Sequence, residues 1–291
     1  MSASANLEHV IERVGDLPAV PKVVSEVLLL TENPYVDLPA VAEVIQKDPA
    51  LSAKVLRISN SPYYGMRQYV GTVKLALVIL GVQEVRNIVL GISVFDILRS
   101  RRTASLFAGD FWKHSFLTAG FSKKLGEHLR LALHGEDFIT GLLHDIGKLV
   151  LMRQFATDYT KMYAQAGGGG RKLCDIETEV FGFTHADAAA ALATRWNFPQ
   201  TLTDGLLLHH PKADIALTRA KDPLLAAVVR IANLTAHEDP SHFEPSCQKA
   251  ADDAEAWDIV MKQVPELTEE HRGALLGGFM REVGPISAPM L

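Results

Sequence analysis

The stretch Phe138–Met152 is the part of the sequence that most restricts how this chain can fold. Most of its residues are apolar and recur at the spacing of a helix buried in a core. An adjacent His144–Asp145 pair nevertheless stands in its middle, and Lys148 follows about one helical turn later. Burying a histidine and a carboxylate costs several kcal/mol unless both are paired or bind a metal. The fold must therefore bring partners to this pair.

Two interpretations of the pair are open at this point. In the functional one, His144 and Asp145 are neighbouring metal ligands, and Lys148, on the same helix face as His144, points at an anion held by the metal. In the structural one, Asp145 caps a helix or pairs locally, and His144 bonds a backbone carbonyl. The rest of the chain has to decide between them.

Helical signals recur along the chain. Asp37 and the Asp48-Pro49 pair are predicted helix starts, and no segment shows the sustained period-two alternation of a β-strand. The sequence therefore predicts an all-α fold, a helical bundle with an N-terminal helical lobe packed on a helical core. A polar, basic turn at residues 100–105 separates the two. The predicted units are the lobe at 1–100, the core at 101–240 and a C-terminal helical extension at 241–291.

The sequence gives little support for nucleic-acid binding. Lys and Arg number 29 against 34 Asp and Glu, so the net charge is −5 and no overall basic field attracts a polyanion. Short helices joined by tight turns also occur in helix-turn-helix DNA readers, but the third predicted helix offers only Lys54 and Arg57 as cations. We therefore expect no nucleic-acid partner. The glycines at 167–170 follow a helix and lack P-loop spacing, which predicts a flexible connector.

Cysteine usage and hydropathy bear on location. Cys174 and Cys247 lie far apart and form no redox or metal motif, as in proteins of a reducing compartment. Met1–Val14 lacks the basic start and apolar run of a signal peptide, and no apolar stretch reaches the roughly 18 residues of a membrane span. The sequence predicts a cytoplasmic protein with no membrane partner.

Residues of metal-ligand type occur in small groups, one on each of several predicted helices in the second half. Imidazole and carboxylate suit divalent iron, manganese, nickel or zinc, and helical bundles build metal sites from side chains on facing helices. The candidate ligands are Asp110, His114, His144, Asp145, His185, His209, His210 and Asn233. The other histidines have no comparable neighbours and are predicted to lie on the surface: His9, His128, His134, His237, His242 and His271.

Residues 110–233 resemble the HD superfamily of metal-dependent phosphohydrolases, whose ligand pattern is H…HD…H…HH…D. The N-terminal half is similar to one branch of it, the HDOD family of HD-related output domains. The motifs that carry this resemblance are Leu17-Pro18 with Pro21, Asp48–Leu51, Val55-Leu56, Asn60–Tyr63, and Ala76 with Leu80-Gly81. HDOD proteins are all-α proteins of bacterial signalling, and many have lost HD ligands and act as interaction modules. The resemblance therefore implies signalling protein partners.

Similarity to the HD-GYP cyclic-di-GMP phosphodiesterases implies roles for individual residues. Asp110 stands at the place of an acidic ligand one turn before the first histidine, and Lys148 at that of a phosphate-contacting lysine. The residues that match the subsequent metal ligands are His114, His144, Asp145, His185, His209 and His210. Asn233 stands where the last aspartate is expected, and the GYP signature is absent after the paired histidines. Cyclic-di-GMP therefore cannot be carried over as the substrate, and we expect one tightly held ion and a second, weaker one.

Two functions are open from the sequence. The first is a regulatory HDOD protein that binds metal and a phosphate or nucleotide ligand but works through protein partners. The second is an active metal-dependent phosphohydrolase or phosphodiesterase acting on a nucleotide or cyclic nucleotide, with Asp145 and Lys148 taking part in catalysis. The retained ligands favour metal binding, whereas Asn233 and the missing signature favour the signalling role.

Overall fold

The computed structural model describes residues 20–31, 35–61, 64–98, 106–133, 135–169, 171–212, 214–236 and 250–283. At 106–110, 167–169 and 280–283 only the backbone is described. Within these ranges all regular structure is helical, so the predicted all-α fold is confirmed. None of the described helices is long and apolar enough to cross a membrane.

The helices of the N-terminal part are α1 (Lys22–Thr31), α2 (Leu38–Gln46), α3 (Pro49–Ser59), α4 (Val73–Leu80) and α5 (Val82–Leu98). Those that follow are α6 (Leu106–His128), α7 (Glu136–Leu143), α8 (Ile146–Gly169), α9 (Leu173–Phe181), α10 (His185–Arg195) and α11 (Gln200–Leu208). A 3-10 turn (Leu217–Arg219) precedes α12 (Pro223–Ala236), α13 (Ala254–Met261) and α14 (Glu269–Val283).

Local capping explains several of the helix starts. The Asp48 side chain accepts hydrogen bonds from the amides of Ala50 and Leu51, both at 3.0 Å, and Pro49 opens the helix as predicted. Asp37 occupies the N-cap position of α2 but its side chain makes no capping bond. Thr184 and Asp187 form a reciprocal capping box at the start of α10, which fixes the first turn of that helix.

The HD stretch is two helices and not one. α7 ends at Leu143 and α8 begins at Ile146, so His144 and Asp145 lie in a turn between them. The sequence could not show this break because the apolar residues continue on both sides. At its other end α8 extends to Gly169, although the sequence predicts a connector from 167 onward. Glycines in a helix cost free energy but are not forbidden.

Two apolar clusters hold the helices together. The first includes residues from Val24 in α1 to Leu206 in α11, and so joins the N-terminal helices to α7, α8 and α10. The second combines the later part of α6 with α12, α13 and α14, and it includes Leu208. Helix α7 packs against α5, α6, α11 and α12. The turn after α7 therefore lies in the interior, where helices from several parts of the chain meet.

A polar cluster lies between the N-terminal helices and α6 and α7. The Tyr64 hydroxyl donates to Glu84 Oε1 at 2.6 Å, and Lys123 Nζ lies 3.9 Å from the same oxygen. Asp137 is 7% exposed. Burial, together with the nearby Glu84 carboxylate, raises the pKa of Asp137 to about 6, although the Phe138 amide and Lys123 act in the opposite direction.

Replacement of this carboxyl is expected to change how stability depends on pH. Between pH ~4 and ~6 native Asp137 keeps a proton that the unfolded chain has lost, so the stability of the wild type falls as the pH rises. Asp137→Asn is expected to stabilise the protein by about 2–3 kcal/mol at pH 7.5 and to have little effect at pH 4. Urea unfolding at both pH values measures this, with exposed Asp158→Asn as control. An equal effect at the two pH values would contradict the expectation.

Candidate metal centre

The Asp145 carboxylate is the centre of a histidine cluster and is 1% exposed. Its Oδ1 lies 3.2 Å from His185 Nε2 and 3.4 Å from His209 Nε2. Its Oδ2 lies 3.3 Å from His144 Nε2 and 3.5 Å from His114 Nε2. Each oxygen thus faces two imidazole nitrogens, which come from four different helices or helix ends.

The elements that carry these side chains converge from separate parts of the chain. His114 lies in the middle of α6, His185 is the first residue of α10, and His209 and His210 follow the last residue of α11. Asn233 on α12 places its Oδ1 3.1 Å from His114 Nε2. All of these side chains are buried or partly buried.

Two groups of ligand atoms share the Asp145 carboxylate. One group is His114, His144 and Asp145, and the other is Asp145, His185, His209 and His210. Within each group one ligand atom per residue lies within 4.8 Å of the others. Two ligands bound at about 2.1 Å to one ion and separated by 90–110° lie roughly 3.0–3.4 Å apart. The oxygen-to-nitrogen separations around Asp145 are of this size, so the side chains present fit a metal ion.

The hydrogen bonds of the imidazole rings also fit a metal ion beside Asp145. Nδ1 of His144 lies 2.7 Å from the Gly141 carbonyl oxygen, and Nδ1 of His209 lies 2.6 Å from that of Leu206. A carbonyl oxygen only accepts, so both Nδ1 atoms carry a proton, and both rings direct Nε2 toward Asp145. Burial lowers the pKa of His209 to about 3, which keeps this ring neutral.

One oxygen of the Asp145 carboxylate lacks a hydrogen-bond donor among the described residues. Asp145 Oδ1 is buried and forms no hydrogen bond within the described residues. The Nε2 lone pair of neutral His209 faces this oxygen at 3.4 Å and repels it unless a cation lies between them. A buried acceptor left unpaired costs free energy. This arrangement is the one that an ion at the centre of the cluster would satisfy.

Lys148 supplies positive charge beside the cluster. Its Nζ donates to Asp145 Oδ2 at 2.5 Å, and the residue is 5% exposed. Burial disfavours the charged forms of Asp145 and Lys148, but the attraction between the two charges is stronger than this effect. The pKa of Asp145 is therefore held well below its usual range by His144 and Lys148, and that of Lys148 is raised by Asp145. The bonds named by the structural interpretation are present, since His144 bonds a carbonyl through Nδ1 and Asp145 pairs with Lys148. They leave Nε2 of His144 directed at the cluster, so the metal-ligand interpretation stays a prediction.

Residues 17–212 match the HDOD domain family, which is about two thirds of the chain. The chain belongs to the HDOD family. Its structure is similar to that of an HDOD domain protein of unknown function from Geobacter sulfurreducens, with a TM-score of 0.78, 20% identity, and 100% and 99% of the two chains covered. That likeness shows the fold.

Two further proteins are similar to this HDOD protein. A structure from Shewanella amazonensis SB2B, named as a candidate phosphohydrolase, is 28% identical, with a TM-score of 0.66 over 93% of this chain and 97% of that one. An uncharacterized protein from Treponema pallidum (strain Nichols) is 26% identical over 203 residues, which is 68% of this chain. The match spans only 38% of that curated relative's length.

The HDOD protein brings most of the predicted residues together. His114, His144, Asp145, Lys148, His185, His209, His210 and Asn233 all lie in or beside the cluster. Asp110 belongs to α6, but its side chain lies outside the described part of the structure. His128 and His271 are exposed, as predicted for histidines without ligand partners. The others predicted at the surface, His9, His134, His237 and His242, lie outside the described residues.

The sequence interpretation missed Glu177. This fully buried carboxylate on α9 accepts through Oε2 from His185 Nδ1 at 2.7 Å and from the His185 amide at 2.9 Å. Its Oε1 accepts from the Tyr159 hydroxyl at 2.5 Å. Burial alone would raise the pKa of Glu177, but His185 and Tyr159 lower it, so the group stays ionised. One signal was available, since Glu177 shares a helix face with Leu173 and Phe181, four residues away on either side, and both pack against the apolar core.

Proposed function

We propose that this HDOD protein is a bacterial signalling module of the cytoplasm whose core holds one or two divalent transition-metal ions, of iron, manganese, nickel or zinc. It acts through a signalling protein partner or a phosphate or nucleotide ligand. The observation that carries this proposal is the shared Asp145 carboxylate, faced on each oxygen by imidazole Nε2 atoms at metal-ligand separations. Family membership and the retained ligand order support it.

The two groups differ in the number of imidazole ligands and therefore in the expected affinity for metal. His185, His209 and His210 join Asp145 in the group that we assign to the tighter ion. The group of His114 and His144 has one imidazole fewer, and the residue beside it, Asn233, is a neutral amide that adds no negative charge. When bound, such ions supply Lewis-acid chemistry that activates water and polarises a phosphoryl oxygen.

A second candidate function is metal-dependent hydrolysis of a phosphoester. Lys148 favours it, because a buried ammonium beside the shared carboxylate is placed to contact a non-bridging phosphate oxygen. The 28%-identical neighbour named as a candidate phosphohydrolase also supports it. In this role Asp145 holds the ions and Lys148 binds the phosphate.

One preparation distinguishes the two functions. The protein is purified without added metal, its metal content is measured by elemental analysis, and turnover of bis-p-nitrophenyl phosphate is followed with each candidate ion. A wild type without metal, or metal content unchanged in His144→Ala, rejects the site. Metal with turnover that Lys148→Ala abolishes supports the enzyme, provided that exposed Lys161→Ala retains activity. Metal without turnover leaves the signalling module as the function.

Glu177 is expected to tune metal affinity through His185. Glu177→Gln removes the negative charge that strengthens the bond from His185 Nδ1, and it leaves one acceptor oxygen where the His185 ring and the Tyr159 hydroxyl now have two. Metal affinity is expected to fall by roughly 10–100-fold, and by less in Tyr159→Phe. Competition with a chelating dye measures this, and Glu179→Gln, an exposed position on the same helix, is the matched control. Equal metal affinities in Glu177→Gln and wild type would show that the charge of Glu177 does not contribute to metal binding.

A further inference from the structure

Arg230 is a fully buried arginine on α12 that holds the end of α11. Its Nε donates to the Leu208 carbonyl oxygen at 2.8 Å. One turn along α12, Asn233 Nδ2 lies 3.4 Å from the carbonyl oxygen of His209. The last carbonyls of a helix have no partner inside the helix. Here α12 provides partners for two consecutive ones, at the residues that lead into the paired histidines.

The charge of Arg230 is balanced from the C-terminal extension. Glu255 on α13 accepts through Oε2 from Arg230 Nη1 at 2.8 Å. Through Oε1 it accepts from the Leu217 amide at 2.6 Å, in the 3-10 turn that follows the paired histidines. The same carboxylate thus joins the arginine to the chain on the other side of the histidine turn. A buried guanidinium whose counter-charge is removed is strongly destabilised.

Packing fixes where Glu255 lies. Trp257, two residues later, is fully buried, and its indole Nε1 donates to the Ala250 carbonyl oxygen at 2.7 Å. The Arg272 guanidinium of α14 lies 5.3 Å from the centre of the Trp257 ring, within the range of a cation–π contact. Helices α13 and α14 therefore hold the carboxylate in place, and they lie beyond the HDOD match, which ends at residue 212.

We propose that the C-terminal extension positions the paired histidines, through a Glu255–Arg230 clamp on the carbonyl that precedes them. Arg230 and Glu255 are positioning residues, since neither belongs to the ligand groups around Asp145. The proposal rests on the proposed metal site in so far as the clamp sets the geometry of His209 and His210 as ligands. It gives the extension a role beyond packing, because loss of the clamp changes the site.

The first test uses amide hydrogen exchange of the metal-free full chain, followed by mass spectrometry. Glu255→Gln keeps an oxygen for the Leu217 amide and removes the negative charge that faces Arg230. Exchange in the peptide covering residues 205–212 is expected to rise roughly tenfold, as for a lost hydrogen bond to a charged group. Peptides from α1–α3 are expected to exchange as in the wild type. Val260→Ala, which loosens the buried face of α13 and leaves the clamp intact, is the matched control.

A second variant separates the clamp from general stability. Arg230→Met combined with Glu255→Leu replaces the pair by apolar side chains, an exchange that often leaves stability unchanged. We expect this double variant to be stable but to lack the clamp. Amide exchange at residues 205–212 should then be fast, and the affinity for Mn²⁺ or Zn²⁺ should be roughly tenfold weaker. Wild-type exchange in either variant overturns the proposal, as does unchanged affinity in a protein that binds metal. A wild type that binds no metal rejects the metal site, and the exchange data alone then decide on the clamp.

Discussion

Asp145→Asn is expected to remove metal from both ligand groups. The carboxylate faces His185 and His209 through one oxygen and His144 and His114 through the other, so its charge contributes to both. An amide supplies one neutral oxygen and turns an NH₂ group toward the other imidazole nitrogens. The loss of affinity is expected to exceed the roughly 10–100-fold typical of a residue that only orients a ligand.

Elemental analysis and dye competition measure this loss, and thermal unfolding shows whether the variant is folded. Asp158→Asn makes the same substitution on an exposed part of α8 and is expected to keep wild-type metal content. In the metal-free protein the variant leaves buried Lys148 without its counter-charge, which costs about 3–5 kcal/mol in comparable pairs. A folded Asp145→Asn protein that retains metal would show that the imidazoles alone hold the ion.

Gly147→Ala adds a single methyl group and is expected to destabilise the fold around the cluster strongly. A Cβ at Gly147 would lie 1.8 Å from the carbonyl oxygen of His185 and 2.9 Å from the amide nitrogen of Ala189. Both are backbone atoms of α10, so the clash cannot be relieved by turning a side chain. Helix α10 would have to move away from α8, and His185 would move with it, at a cost of about 4 kcal/mol or more.

Urea unfolding measures the cost, and the chain offers a matched control. Gly273 is also helical, in α14, and no atom lies within 4 Å of a Cβ placed there. Gly273→Ala is therefore expected to stabilise the protein by about 0.5–1 kcal/mol, because alanine restricts the unfolded chain. If Gly147→Ala were as stable as the wild type, the close approach of α8 and α10 would be wrong.

Local signals made much of the fold predictable. Capping side chains act within three residues, so Asp48 and Thr184 could be recognised as helix starts from the sequence. The set of residues that meet around Asp145 was also predicted, because the ligand types follow the order of a known family along the chain. The metal itself stays a prediction until it is measured.

Features that depend on tertiary contacts could not be predicted. Glu177 lies eight residues from His185, and Arg230 lies 25 from Glu255. Charged residues on helices are usually solvated. Only the packing of α9 and α12 shows that Glu177 and Arg230 are buried. The break at His144 was hidden for a related reason. Burial on both sides of a turn gives the same apolar run as a continuous helix.

The division of the interior into two apolar clusters has a consequence for the paired histidines. Leu206 packs in the first cluster and Leu208, two residues later, packs in the second. His209 therefore follows a residue of the second cluster, whereas His144 and Asp145 follow Leu143 of the first. Any relative displacement of the two clusters acts directly on the separation between these ligands. A protein that binds the outer face of α13 or α14 and shifts the second cluster would change the site from a distance, without entering it.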